Sequence, residues 1–228
     1  MNPLLRSAAA HVVVASLVSP ELDEHDAHHV FRVLRLREGS RVTATDGAGR
    51  WVECLVVGRD ALEVAGDVHT EPAVEHRLGV AFVPVKAERP ENTVRQLVEV
   101  GIDDIYVLQP TKRAVAGSRD RLVDRVARIT REACMQSRRV HVPTIHLGVE
   151  LGDLLTGESV AVADPEAPPL QGDIRLLVVG PEGGFAPEEV AANVARAGIG
   201  PAVLRAETAA VAAGVRLVAL HEARHGRQ

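Results

Sequence analysis

From Val42 onward apolar and polar positions alternate in short runs with a period near two. Arg41-Val-Thr-Ala-Thr-Asp46 and Trp51-Val-Glu-Cys-Leu-Val-Val57 read as strands, joined at Asp46-Gly47-Ala48-Gly49, where glycine supplies the positive φ of a tight turn. A run from Ala61 to Val68 follows Gly58, and His11 to Ala15 adds a further strand. With one short helix near Asp26 to Leu34, this half reads as a small β-barrel, an architecture that often presents a groove to nucleic acid. Thr70-Glu71-Pro72-Ala73 reads as a linker, which sets the domains at 1–72 and 73–228.

After His76 the pattern becomes α/β, with apolar strand-like runs alternating with longer segments of helical spacing. Leu78 to Val85 is a buried strand, Glu91 to Val100 a helix stopped by Gly101, and Ile105 to Leu108 a second strand. Between Asp120 and Ser137 a helix places Leu122, Val126, Ile129 and Ala133 on one stripe, with Arg121, Arg125 and Arg128 beside it. Ser159 to Ala163 and Leu176 to Val179 are further strands, and helices are expected over Pro187 to Arg196 and Ala209 to Ala223. No internal repeat is present.

Composition narrows the class. No stretch approaches the roughly 20 apolar residues of a membrane span, and the N-terminus is a poor secretory signal, so the chain reads as cytoplasmic. Cys54 and Cys134 are far apart and read as reduced and structural. The ten histidines show no metal-type spacing, so no metal is expected. A net charge of −5 hides an uneven distribution: from Thr111 to Arg139, nine positive residues face three negative ones, a basic island in an acidic protein. Arg32, Arg35, Arg37 and Arg41 form a second, weaker cluster.

The sharpest local feature is Leu176-Leu-Val-Val-Gly180-Pro-Glu-Gly-Gly184, a buried strand running into a glycine loop. Strand, glycine loop and helix also make phosphate cradles, but Glu182 in the loop and Glu188 and Glu189 in an expected first helical turn oppose a phosphate. A glycine-lined loop with a carboxylate suits a flat, cationic ligand approached closely by backbone. S-adenosylmethionine has that chemistry. A second feature is Val203-Leu-Arg-Ala-Glu-Thr-Ala-Ala210, which enters a helix of small residues able to pack closely on another element.

Together these motifs resemble the RsmE family of the SPOUT methyltransferases. The resemblance rests on Gly180-Pro-Glu-Gly-Gly184 and Leu204-Arg-x-Glu-Thr-Ala209, on His29-x-x-x-Val33-Leu34-Arg35 followed by Gly39, and on Arg125-x-x-Arg-Ile-x-x-Glu132-Ala133-x-x-Gln136-Ser137-x-Arg139 before Val142-Pro143. It implies a PUA-like barrel for RNA over 1–72 and a SPOUT α/β domain over 73–228, with a deep trefoil knot that holds the cofactor. It also implies a homodimer with its active site at the subunit interface. The implied activity is methylation of uracil N3 in small-subunit (16S) ribosomal RNA, either free or in the assembled 30S subunit. The sequence departs from the family pattern at Gln96 (usually lysine), Met135 (often acidic), Ala186 (serine or threonine) and Ala206 (threonine).

On this reading Val179, Gly180, Pro181, Glu182, Gly183 and Gly184, with Val203, Leu204, Glu207, Thr208 and Ala209, seat S-adenosylmethionine. Arg205 stabilises the uracilate, and Glu207 or Glu182 is the candidate base. RNA contacts are expected from Arg32, Arg35, Arg113, Arg128, Gln136 and Arg139. Aromatic residues make up only 2% of the chain, so phosphate contacts and RNA shape should outweigh base stacking. The rival readings are a SPOUT enzyme acting on another RNA site, a catalytically silent RNA-binding assembly factor, and an α/β nucleotide-phosphate binder.

Overall fold

The structure, a computed structural model, describes residues 2–58, 60–84, 89–109 and 120–226, with no side-chain description at 120 and 121. The chain divides into two compact units: Met1–Val74 with Arg131–Val142, and Glu75–Thr130 with Pro143–Gln228.

In the first unit, α1 (Pro3–Ser7) precedes β1 (Ala10–Val13). Next come α2 (Glu24–Ala27) and a π-helical turn (His28–Val33), then β2 (Arg41–Thr45), β3 (Arg50–Val57), β4 (Ala61–Val64) and β5 (His69–Thr70). The strand order is β1-β2-β3-β4, with β5 also on β3; β1 lies parallel to β2 and the other pairs are antiparallel. The described strands thus pair as one five-stranded sheet over the stretch where a small barrel was expected. The β2–β3 turn is held by Gly47 and Gly49 at φ +76 and +97, as its glycines require. Trp51, fully buried, packs with Leu5 and Val140 and stacks on His69 with ring centroids 4.2 Å apart.

The stretch 131–142 is tied in by polar contacts. Arg131 Nε donates to buried Asp26 Oδ2 at 2.8 Å, and its Nη2 donates to the Val13 carbonyl. Arg138 donates to the Leu5 and Ala8 carbonyls, both at 2.7 Å. Buried His11 bonds to Thr43 Oγ1 (2.8 Å) and the Arg139 carbonyl (3.2 Å). Burial pushes its pKa down to about 4; the bond to Arg139 pulls upward and the nearby Arg138 charge pushes down again.

The second unit holds a six-stranded, all-parallel sheet of order β11-β9-β10-β6-β7-β8. In chain order its elements are β6 (Gly79–Phe82), α3 (Pro90–Val100), β7 (Asp104–Leu108), α4 (Asp120–Ser137, which runs on into the first unit), β8 (Thr144–Val149) and α5 (Leu151–Leu154). They continue with β9 (Val160–Ala163), β10 (Leu176–Val179), β11 (Ala195–Ala197) and α6 (Ala206–His225). Gly101 ends α3 at φ +108 and accommodates a left-handed cap. One core gathers Ala81, Val83, Leu108, Val162, Val178 and Val190. Helix α6 packs on α3, β6 and β10. Gly214 permits that approach, since a Cβ there would lie 3.0 Å from Leu97 Cδ2. Among the described residues, no helix is long and apolar enough to cross a membrane, and no trio of His, Cys, Asp or Glu is placed to hold a metal.

Candidate functional site

Strands β9 and β10 lie side by side and parallel, and each stops at a proline: Asp164-Pro165 after β9, Gly180-Pro181 after β10. Proline donates nothing to a ladder, so both chains leave the sheet at the same level and part. A cleft of about 630 Å³ opens there. It sits at the carboxyl ends of the strands, beside the β10–β6 pair where strand order reverses, which is where open α/β sheets bind ligands. Its volume is that of a small-molecule site.

Three stretches wall the cleft: 162–165, 179–187 with Val190, and parts of 192–209. Gly184 at φ +65 closes the loop, its N–H donating to the Pro181 carbonyl at 2.8 Å. Glu189 Oε2 accepts from the Ala186 N–H at 2.7 Å. This is the back-reaching half of a capping box, and it leaves unmade the bond that a serine or threonine at position 186 would have accepted from the N–H of Glu188 or Glu189.

The helix expected over Pro187 to Arg196 does not form. The segment makes turns and then pairs as β11 with β9. Val190 and Val194, four apart, mimic helical spacing, yet both pack into the sheet's core cluster from an irregular backbone. With Glu188 and Glu189 outside any helix, the acidic-helix argument against phosphate loses its basis. The carboxylates at the cleft are Glu182, exposed, and Asp164. Asp164 Oδ2 faces Arg196 Nη1 at 3.2 Å, and its Oδ1 accepts from the Glu166 N–H at 2.9 Å.

Helix α6 splits its first turn between two faces, because successive helical residues point about 100° apart. Ala206 and Ala209 line the cleft. Glu207 and Thr208 instead open, with Gln96, Ile199, Val211, Ala212, Val215 and Arg216, on a second cavity of about 460 Å³. Glu207 Oε2 is buried without a hydrogen-bond partner. Arg205, the N-cap of α6, is exposed and is not a wall of the cleft. Of the residues expected around a cofactor, Val179, Gly180, Pro181, Glu182, Gly183, Gly184, Val203, Leu204 and Ala209 therefore line one cleft, and Glu207 and Thr208 do not. Arg205, Glu207 and Glu182 do not share a cavity within the one chain.

Arg32 and Arg35 are exposed in the first unit, Arg35 with φ +54; Gln136 is exposed and Arg139 half-buried. Arg128 is exposed in the second unit and lines a smaller cavity with Arg89 and Arg125. Arg113 lies outside the described residues, as do Lys112 and Arg119 of the basic island. Sequence reasoning missed Asp164 and Arg196. The available signal was that Ala163-Asp164-Pro165 repeats the strand–stop arrangement of Val179-Gly180-Pro181.

Residues 72–218 match the RNA methyltransferase domain family, and residues 22–65 the RNA methyltransferase PUA domain family. The ribosomal RNA small subunit methyltransferase E of Mycobacterium bovis is 32% identical over 219 residues, spanning 84% of this chain and 83% of its own length. The protein of the same name from Rickettsia conorii is 26% identical over 221 residues, spanning 87% of this chain and 89% of its own. In fold, the chain resembles the crystal structure of ribosomal RNA small subunit methyltransferase E from Neisseria gonorrhoeae bound to S-adenosyl methionine, with TM-score 0.69 and 22% identity. That match covers 94% of this chain and 97% of the other.

Proposed function

Since the chain belongs to the ribosomal RNA small subunit methyltransferase E family, we propose that it methylates uracil N3 in small-subunit ribosomal RNA, using S-adenosylmethionine, as a cytoplasmic homodimer. The observation that carries this reading is the cleft itself: about 630 Å³, at the carboxyl ends of two parallel strands, walled by glycines, alanines and two carboxylates. Glycine and alanine leave room for adenine and ribose against the backbone, and Asp164 and Glu182 offset a sulfonium charge. When bound, S-adenosylmethionine supplies a methyl group that is already electrophilic.

The chain's own task is to hold the base and dispose of its proton. Uracil N3 is a weak acid, so the proton must leave as the methyl arrives. Glu182 is the carboxylate at the cleft suited to take it. To Arg205, the exposed N-cap residue of α6 outside its own chain's cleft, falls the role of steadying the developing uracilate. Glu207 and Thr208 face away from the cleft of their own chain, beside the half-exposed Val215, which supports a role in pairing with a second copy. The trefoil knot finds support where 195–200 returns past 164–170. There the Gly198 N–H donates to the Pro168 carbonyl (2.7 Å) and the Leu170 N–H to that of Gly198 (3.0 Å).

The test is transfer of labelled methyl to purified small ribosomal subunits, with the modified nucleotide mapped by mass spectrometry. Calorimetry alongside should show cofactor uptake by wild type and by Arg205→Ala, with transfer by the variant down about a hundredfold. Absence of uptake by the folded protein refutes the reading.

A further inference from the structure

A second polar cavity in the same unit, about 330 Å³, is lined by Arg89, Glu91, Asn92, Arg125 and Arg128 together with Pro90 and Ile129. Three guanidinium groups from two helices thus border one hollow, at the start of α3, whose first turn has no side-chain cap. Pro90 has no N–H and the Asn92 N–H donates to the Arg89 carbonyl at 2.9 Å, so it is the three arginines that favour a phosphate. The anion is only half of what the cavity asks for. Glu91 is 93% buried; its Oε1 faces Arg125 Nε at 3.4 Å, while Oε2 is sealed from solvent and meets no donor. A carboxylate oxygen left unpaired beside three cations calls for an occupant that brings a hydroxyl as well as negative charge.

We propose that this cavity seats one unit of the RNA backbone: a phosphodiester among Arg89, Arg125 and Arg128, and the adjoining ribose 2′-hydroxyl donating to Glu91. The inference rests on the methyltransferase reading for the polymer being RNA. It adds a site, separate from the cofactor cleft, that distinguishes RNA from DNA, because the 2′-hydroxyl is the group DNA lacks. No residue of the cavity lines the cofactor cleft. Arg89 and Glu91 stand outside the island read from the sequence and meet Arg125 and Arg128 only at this cavity.

The experiment is fluorescence anisotropy with a short labelled oligouridylate and its 2′-deoxy counterpart, over a series of salt concentrations. Wild type should bind the RNA form about tenfold more tightly. Glu91→Ala should bring that ratio close to one, with Glu91→Gln between the two. Arg89→Ala should weaken both oligomers alike and reduce the slope of log affinity against log salt by about 0.7. A ratio unchanged in both Glu91 variants, no preference in wild type, or an unaltered salt slope in Arg89→Ala overturns the proposal. Calorimetry with S-adenosylmethionine on each variant separates the two readings. Cofactor uptake with unaltered oligomer ratios sinks the subsite alone, whereas a wild type that takes up no cofactor sinks the enzyme reading instead.

Discussion

Replacing Gly198 by alanine tests whether the cleft depends on two distant stretches being locked together. The methyl group would sit 2.6 Å from the Ala167 carbonyl oxygen and 3.3 Å from that of Pro168. Both obstacles are backbone, so no side-chain rotation relieves the clash. The Gly198 backbone is not left-handed, so the contact and not the dihedral sets the cost. Overpacking of this kind costs about 1–3 kcal/mol. Moving 195–200 away from 164–170 also strains the 2.7 Å bond to Pro168 and the 3.0 Å bond from Leu170, each worth about 1 kcal/mol. The total is on the order of 3–5 kcal/mol if both bonds are lost, and it falls on the stretches that carry Asp164, Arg196 and Gly200 into the cleft. Calorimetry with S-adenosylmethionine should therefore show affinity at least tenfold weaker. Circular dichroism should report intact secondary structure with a lowered melting temperature. Gly152→Ala, where nothing lies within 4 Å of the added methyl, is the neutral control. A Gly198→Ala protein with unchanged affinity and melting temperature would show that the reasoning is wrong.

For His11, the folded pKa of about 4 lies below the ordinary 6.5, so between those values the unfolded chain binds the extra proton. Stability should be fully present above about pH 6.5 and fall as pH drops toward 4, by about 3 kcal/mol in all; urea unfolding across that window that gives His11→Gln the same slope as wild type contradicts this. Asp26→Ala removes the buried partner of Arg131, and because that arginine is 31% exposed the loss should be about 2–4 kcal/mol; a measured loss under about 1 kcal/mol tells against the pair. Val215→Lys places a charge on the α6 face that carries Glu207 and Thr208, and light scattering should find the variant monomeric where wild type is dimeric. Equal masses for the two proteins would remove that face as the interface.

What could be read from the sequence is what neighbouring residues decide among themselves. The Asp46–Gly49 turn, the stop at Gly101 and the apolar stripe of α4 need only local periodicity and a glycine in the right place, and each appears where expected. What escaped was decided by pairing across the chain. Strand β8, Thr-Ile-His-Leu-Gly-Val, is an edge strand without a fully buried residue, so no apolar run announces it. Strand β11 is Ala-Arg-Ala, a strand only because β9 offers it an edge. The stretch 131–142 continues a helix whose spacing never changes, yet Arg131 finds Asp26, 105 residues earlier.

The site divides the same way. The glycine loop could be read because its chemistry is local. Asp164 was not read, because the proline stop after β9 says nothing of a cleft until β9 lies beside β10. Nor does the order Arg-Ala-Glu-Thr say which residues look into the cleft: α6 has to be laid on α3, β6 and β10 before Ala206 and Ala209 face inward and Glu207 and Thr208 turn away. The three residues expected to act together, Arg205, Glu207 and Glu182, are therefore parted: Glu182 lines the cleft, Glu207 opens on the other cavity and Arg205 lines neither. If the family's chemistry needs all three groups at one base, the structure leaves one route: the missing side chains must come from the α6 face of a second copy. That makes the mass of Val215→Lys and its methyl transfer a single question, since a monomer that still transfers at the wild-type rate would leave Glu207 without a part in the reaction.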